Sequence, residues 1–163
     1  MTVPPNPPMP RPAEGRLDGP LHRFALRAHF EDTDLSGVVY HANYLRWFER
    51  ARSDLLRQLG IDQRAAHEAG EGAYAVSDLQ IRYLAPARLD DDVLIETAAE
   101  ELGAASSRLV QRAYRLAAGD GPAVLLSDMR VRVGFLGPDG RPRRQPAAWR
   151  SAFASFQSAT PET

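Results

Sequence analysis

The residues best suited to chemistry lie in one stretch, 30–52, where two carboxylates precede a small-residue turn and an amphipathic helix. Asp32 and Asp34 come first, Gly37 permits a tight turn, and the helix is predicted to begin near His41. The first N–H groups of a helix have no partner within it, so they can bind a polarised carbonyl oxygen. A carboxylate beside such donors can activate water or attack a carbonyl itself. The chemistry that fits is acyl transfer to water, with the N–H groups holding the developing oxyanion.

The same residues also permit purely structural interpretations. The Asp-x-Asp pattern could serve only a turn and a helix cap, and Asn43 could do no more than cap the helix. A metal site built from Asp32, Asp34 and His41 is not favoured, because no second histidine lies at helical spacing. Spacing alone leaves the catalytic and the structural interpretations open.

Composition narrows the class of protein. With 163 residues and 44% hydrophobic residues, the chain fits one globular domain. A net charge of -1 gives no case for nucleic acid as a partner. The lack of cysteine excludes disulfides, cysteine nucleophiles and cysteine-ligated zinc. No apolar run approaches the roughly 18 residues of a membrane span, and the N-terminus lacks a signal-peptide core, so we expect a cytoplasmic protein.

Periodicity predicts one long helix that follows a strand. Residues 1–20 are rich in proline and are predicted to form a disordered tail. The alternative is that this tail docks into an aromatic groove of another protein. Alternation over residues 21–30 predicts a half-buried strand, with His22 and His29 at the surface. Apolar residues at spacings of three and four over 42–60 predict an amphipathic helix with a broad apolar stripe.

The second half of the chain is predicted to be mostly strands. The strand-like segments are 74–84, 92–102, 106–117 and 123–136. Short connections favour an antiparallel meander, followed by a terminal helix near 147–156 and a flexible end at 157–163. One helix with so broad a stripe needs a large surface to bury against, and an antiparallel sheet of about five strands supplies it. We therefore predict an α+β domain over residues 21–156.

Two blocks of sequence resemble a known family. The run EDTDLSGVVYHANY at 31–44, with FERAR at 48–52, resembles the signature of the 4-hydroxybenzoyl-CoA thioesterase family. Within that family it is most similar to the Tol-Pal-associated acyl-CoA thioesterase subgroup. The block DLQIRYLAPARLDD at 78–91 resembles the family's second block, and the resemblance covers roughly 21–146. It implies a hotdog fold, in which a curved antiparallel sheet wraps a long central helix.

The resemblance also implies an activity and an assembly. It implies hydrolysis of a small or medium acyl-CoA to free acid and coenzyme A, with no metal or organic cofactor. The alternatives are an aryl-CoA thioesterase, of the 4-hydroxybenzoyl-CoA or dihydroxynaphthoyl-CoA type, and a non-catalytic scaffold that binds acyl carrier protein or envelope-associated partners. Family members form homodimers or homotetramers with active sites at subunit interfaces.

Roles for individual residues follow from the same resemblance. Asp34 matches the catalytic carboxylate, and His41 matches the residue whose backbone N–H polarises the thioester carbonyl, with its side chain implicated too. Asp32 is expected to organise the loop. The residues expected beside the substrate are Gly37, Tyr40 and Asn43.

Arginines are the candidates for binding the phosphates of coenzyme A, because a guanidinium can form paired hydrogen bonds with phosphate oxygens. The resemblance points to two regions, one in a late strand and one after the last strand. The candidates are Arg108, Arg112, Arg141, Arg143 and Arg144.

Overall fold

One long helix lies against a six-stranded sheet in the computed structural model, which describes residues 8–159. The strands are β1 (Arg16–Asp18), β2 (Leu21–Arg27), β3 (Ala73–Tyr83), β4 (Asp92–Leu102), β5 (Ser106–Arg115) and β6 (Val124–Leu136). The helices are α1 (Asn43–Gln58), α2 (Gln63–Glu68) and α3 (Ala147–Ser158). A short 3-10 turn, Phe30–Asp32, precedes α1. None of the helices within this part of the chain is long and apolar enough to cross a membrane.

The sheet is antiparallel throughout, in the order β1-β2-β4-β5-β6-β3. The meander β4-β5-β6 follows from its short connections, as predicted. Strand β3 then pairs with β6 and forms one edge of the sheet. The predicted α+β architecture is confirmed, with one strand more than expected.

Helix α1 buries the apolar stripe that its spacing predicted. Tyr44, Trp47, Phe48 and Leu55 are all nearly inaccessible to solvent. They pack in one cluster with inward-facing sheet residues, namely Val93, Ile95, Leu109, Ala113, Met129 and Val131. Full burial of each large apolar side chain stabilises the fold by about 1.5–3 kcal/mol, so this contact fixes α1 on the sheet.

The boundaries of the predicted tails need correction. Residues 16–18, which the prediction placed in a disordered tail, form β1 by backbone pairing with β2. Helix α3 runs to Ser158, two residues past the predicted end of the domain. Of the predicted tails, residues 1–7 and 160–163 lie outside the described residues.

The prediction that His22 lies at the surface is wrong. His22 is 0% exposed, and its Nε2 lies 2.7 Å from Oδ2 of Asp54 on α1. The same carboxylate oxygen accepts the Gly15 N–H at 3.0 Å. The buried carboxylate offers the imidazole a partner inside the protein, which is why a histidine can occupy the inner face of β2.

Candidate active site

The loop between β2 and α1 is held in place by hydrogen bonds to Asp32, which lies on its buried side. This side chain is 4% exposed and accepts the His29 N–H at 2.7 Å and a short hydrogen bond from the Asn43 side-chain amide. The Asp32 carbonyl also accepts the Tyr40 N–H at 2.9 Å. Asp32 therefore ties both ends of the loop to the first residue of α1, and its predicted loop-organising role is confirmed.

Asp34 lies on the opposite side of the same loop, in solvent. A tight turn forms where the Gly37 N–H donates to the Asp34 carbonyl at 3.0 Å, and Gly37 takes a φ of 80° that favours glycine. The Asp34 carboxylate accepts the Ser36 N–H at 2.8 Å and a short bond from the Ser36 hydroxyl. These bonds from Ser36, together with the charge of His41, lower the pKa of Asp34 below its ordinary value. Asp34 is therefore an exposed, ionised carboxylate at neutral pH.

His41 stands at the start of α1, beside Asp34. No acceptor for the His41 N–H occurs among residues 8–159. The His41 carbonyl accepts the Tyr83 hydroxyl at 2.7 Å, which fixes the peptide that follows. The imidazole is exposed between two aromatic rings, with its centroid 4.6 Å from that of Tyr40 and 6.1 Å from that of Tyr83. The arrangement offers a free backbone donor within a fixed peptide chain at the helix N-terminus.

The structure gathers most of the predicted residues in this loop. Asp34, Gly37, Tyr40 and His41 all reach solvent on it, and open space surrounds the position that a Cβ would take at Gly37. Asn43 is buried beneath the loop, with its amide bonded to Asp32. The Asn43 side chain therefore stabilises the loop from its buried side and does not face solvent.

The two arginines of β5 point away from α1. Nε of Arg108 lies 3.5 Å from Oε2 of Glu101, and Nε of Arg112 lies 3.2 Å from Oδ2 of Asp128. Both guanidiniums are about half exposed on the outer face of the sheet. Each therefore already has a carboxylate partner within the chain.

The three arginines after β6 lie far from His41 in one chain. Arg141 and Arg144 are exposed, and Arg143 donates to the Glu71 carbonyl at 2.7 Å. These residues follow the end of β6 that pairs with Ala73, whereas the other end of β3 contacts His41. The 11 residues of β3 span about 33 Å, so a single chain does not bring these arginines to Asp34.

Two residues of the site were missed by sequence reasoning. Ser36 stands two residues after Asp34, a spacing at which an aspartate commonly bonds its own turn, so the signal was present. Tyr83 ends a strand 42 residues from His41, and nothing in its local sequence indicates that it reaches this carbonyl.

Metal ligation by this loop was the remaining alternative from the residues alone. Asp32 and Asp34 face opposite sides of the loop, one buried and one exposed. In the part of the chain that the structure describes, no three His, Asp or Glu side chains are placed so that they could hold a metal ion.

Known proteins are similar to this chain in sequence and in architecture. The sequence profile of the thioesterase superfamily matches residues 36–119. The acyl-CoA thioesterase YbgC of Haemophilus influenzae is 37% identical over 131 residues, which cover 77% of this chain and 92% of that protein. The structure of a probable thioesterase from Bartonella henselae superposes with a TM-score of 0.70 and 33% identity, covering 77% of this chain and 99% of that chain.

A more distant structural likeness bears on the fold alone. The 4-hydroxybenzoyl CoA thioesterase from Pseudomonas sp. strain CBS-3 superposes with a TM-score of 0.73 at 24% identity, covering 81% of this chain and 98% of that chain. These likenesses confirm the predicted hotdog fold, with one central helix and a curved antiparallel sheet.

Proposed function

Because this chain belongs to the thioesterase superfamily and is an acyl-CoA thioester hydrolase, we propose that Asp34 is its catalytic carboxylate and the His41 N–H its oxyanion donor. We propose a small or medium acyl-CoA as substrate. The observation that carries the assignment is the pairing of an exposed, ionised Asp34 with an N–H of His41 that has no acceptor within residues 8–159. Asp32, the competing carboxylate, is buried and fully engaged by the loop.

The chemistry can follow from these two groups without a cofactor. Asp34 takes a proton from water while the water oxygen bonds to the thioester carbon, and the carbonyl oxygen becomes an oxyanion at the His41 N–H. Collapse of this intermediate breaks the C–S bond, and the coenzyme A thiolate takes the proton from Asp34. The products are a free acid and coenzyme A. In the alternative route Asp34 attacks the carbon itself, the C–S bond breaks and the coenzyme A thiolate leaves, and water then hydrolyses the acyl-aspartate to the free acid, with a proton passing to the thiolate.

The edge strand β3 supports a dimeric assembly. Its inward residues Val76, Leu79 and Tyr83 are 45%, 38% and 45% exposed, so apolar surface and unpaired backbone groups occur on the same edge. Such an edge is a template for strand pairing. We place a second copy there, with the two β3 strands antiparallel across a two-fold axis, as a homodimer or as half of a homotetramer.

This pairing would complete the binding of coenzyme A. Antiparallel β3 strands bring the Ala73 end of each copy beside the Tyr83 end of the other. The segment 141–144 of the second copy then approaches the site at His41, which it cannot reach in its own chain. Arg141, Arg143 and Arg144 are therefore our candidates for the phosphates of coenzyme A, ahead of the carboxylate-paired Arg108 and Arg112.

We also propose a cell compartment and the kinds of protein partner. We place the enzyme in the cytoplasm, in keeping with a coenzyme A substrate. The exposed arginines at 141 and 144 would also suit an acidic partner such as acyl carrier protein. An envelope-associated partner is the alternative.

The first prediction tests Asp34. We expect Asp34→Asn and Asp34→Ala to lower kcat by at least about 100-fold, because general-base catalysis contributes that much or more. Steady-state kinetics on short aliphatic, long aliphatic and aromatic acyl-CoAs would measure this. Asp120→Asn, which removes an exposed carboxylate from the turn between β5 and β6, is the matched control and should keep wild-type activity. Folded Asp34 variants with wild-type kcat/KM would exclude this mechanism.

The same substrate panel tests an aryl-CoA alternative. The exposed rings of Tyr40 and Tyr83 on either side of His41 could stack on a flat acyl group. A kcat/KM for 4-hydroxybenzoyl-CoA or dihydroxynaphthoyl-CoA well above that for aliphatic thioesters would favour this function. Binding of acyl-CoA without any turnover would instead favour the alternative of a non-catalytic scaffold protein.

A further inference from the structure

The hairpin that carries Asp34, residues 33–39, is tied to the rest of the protein at one point. Thr33 and Val39 form its closing β-bridge, and the Asp34 N–H donates to the Val38 carbonyl at 3.0 Å. Within residues 8–159, one hydrogen bond joins this hairpin to a segment outside 29–43: the Val39 N–H donates to the Ala87 carbonyl at 2.8 Å. Both residues of this bond are buried. The position of Asp34 therefore depends on where Ala87 is held.

Ala87 is held in turn by a tyrosine of α1. The Ala87 N–H donates to the hydroxyl oxygen of Tyr44 at 3.0 Å, and Tyr44 is only 3% exposed. The Tyr44 ring is fixed by its neighbours, with its centroid 5.0 Å from that of Trp47 and 5.5 Å from that of Tyr83. Tyr44 follows His41 by three residues and lies in the first turn of α1. The helix start that presents the His41 N–H thus also holds Ala87.

The segment 84–91 around Ala87 is held on both sides. The N–H groups of Leu84 and Ala85 donate to the Leu126 carbonyl at 2.8 and 3.2 Å. The Asp90 N–H donates to the Ala28 carbonyl at 3.0 Å. The Tyr44 hydroxyl is the one acceptor of the Ala87 N–H within the described chain, so it fixes the middle of this segment. A shift of that middle part would move the end of the hairpin that is bonded to it.

We propose that the Tyr44 hydroxyl is a positioning group for the reaction, which sets the distance between the Asp34 carboxylate and the His41 N–H. The proposal rests on the proposed function, in which these two groups carry the chemistry. Tyr44 acts through two hydrogen bonds in series, from Ala87 to Tyr44 and from Val39 to Ala87. Without the hydroxyl, the buried Ala87 N–H would lack its acceptor, which costs free energy unless the segment shifts to find another. The Asp34 hairpin would then shift with the segment.

Tyr44→Phe tests this proposal, because it removes one oxygen atom and keeps the ring. We expect kcat on the best thioester of the panel to fall by at least about tenfold, since a misplacement on the order of 1 Å can cost about 100-fold. KM should change by less than about twofold, because the groups that bind the substrate are untouched. An unchanged kcat in folded Tyr44→Phe would overturn the proposal.

Two comparisons separate positioning from general stability. Thr97→Val removes a buried hydroxyl on β4 that accepts the Gln111 side-chain amide at 3.0 Å, and it should keep the wild-type kcat. In the Asp34→Asn background, Tyr44→Phe should lower the remaining kcat by less than about twofold, because the position of an absent base no longer affects the rate. An equal loss of kcat in Thr97→Val, or the same loss in both backgrounds, would assign Tyr44 a purely structural role.

Hydrogen exchange of single amides separates this proposal from the proposed function, because it needs no turnover. We expect the Val39 and Ala87 amides to exchange at least about tenfold faster in Tyr44→Phe than in the wild type, relative to the amides of β5. If the wild type hydrolyses no thioester, the proposed function fails, yet the exchange rates still show whether Tyr44 holds the hairpin. Unchanged exchange at Val39 would refute that connection whatever the activity.

The wild type alone gives an answer if Tyr44→Phe does not fold. The hydrogen bonds in series require the Val39 and Ala87 amides to be protected from exchange together. Exchange of either amide at the rate of an unfolded chain would overturn the proposal.

Discussion

Asp32 and Asp34 are separated by one residue, yet they lie in opposite environments. Asp32 accepts bonds from His29 and Asn43 inside the protein, whereas Asp34 accepts bonds from Ser36 in solvent. The sequence pattern alone could not separate the two carboxylates; the family resemblance did so, and the burial of Asp32 agrees with it. The sequence predicts the side chain of Asn43 beside the substrate. In the structure this side chain is buried and bonded to Asp32 instead.

The bonds from Ser36 predict a pH dependence at this scale. Because they lower the pKa of Asp34, the carboxylate stays ionised to more acidic pH, and kcat/KM falls only as pH drops through that lowered value. Ser36→Ala removes the hydroxyl bond, the largest cause, so the pKa should rise and the acid limb of kcat/KM should move to higher pH. Ser36→Thr, which keeps the hydroxyl, is the control.

A pH profile of kcat/KM on folded protein checks this. An acid limb that Ser36→Ala leaves in place would show that Asp34 is not the group whose protonation stops the reaction.

At the scale of elements, α1 and the strands could be read from periodicity, but their mutual contacts could not. The spacing of apolar residues from 42 to 60 predicts α1 because each buried side chain repeats with the helical turn. Strand β1 has only three residues and forms by backbone pairing with β2, which leaves no periodic signal. The burial of His22 depends on Asp54, a partner 32 residues away that strand periodicity does not reveal.

The contact between His22 and Asp54 links β2 to α1 and makes stability depend on pH. Burial lowers the pKa of His22 despite the opposing effect of Asp54, so burial outweighs the pairing. Below the ordinary histidine value of 6.5 the unfolded chain takes up a proton that the folded protein refuses, and stability is lost as pH falls. We expect His22→Gln to flatten the free energy of unfolding between roughly pH 5 and 7.

Urea denaturation at several pH values measures this slope. His67→Gln, which changes an exposed histidine on α2, should leave the slope as in the wild type. An equal slope in wild type and His22→Gln would mean that another group carries the pH dependence.

At the scale of the whole molecule, the distance between the candidate arginines and Asp34 could not be predicted from the sequence. Arg141, Arg143 and Arg144 were grouped with Asp34 by family resemblance, yet about 33 Å of β3 separates the two ends in one chain. No local pattern encodes a distance that depends on strand order. A second copy on the β3 edge offers a way to reunite the two groups.

The assembly gives the last prediction. We expect Leu79→Arg, which places a charge among the exposed apolar residues of β3, to raise the dimer dissociation constant by at least about tenfold. Light scattering over a dilution series measures the effect, and the affinity for coenzyme A should fall with it. Leu116→Arg, at a residue that is 37% exposed but lies away from β3, is the control. A wild-type protein that is monomeric at all concentrations would contradict the proposed pairing.

The hydrogen bond from Tyr83 to the His41 carbonyl has an entropic consequence. It holds the peptide that begins α1 in one orientation before any ligand arrives, so the ordering of the donors is completed as the chain folds. In the proposed mechanism, no rotation of the backbone is then needed at the moment when negative charge builds on the carbonyl oxygen. Since Tyr83 is the last residue of β3, a displacement of that strand would be transmitted to the donors, and the orientation of the reacting group would depend on the sheet's own edge.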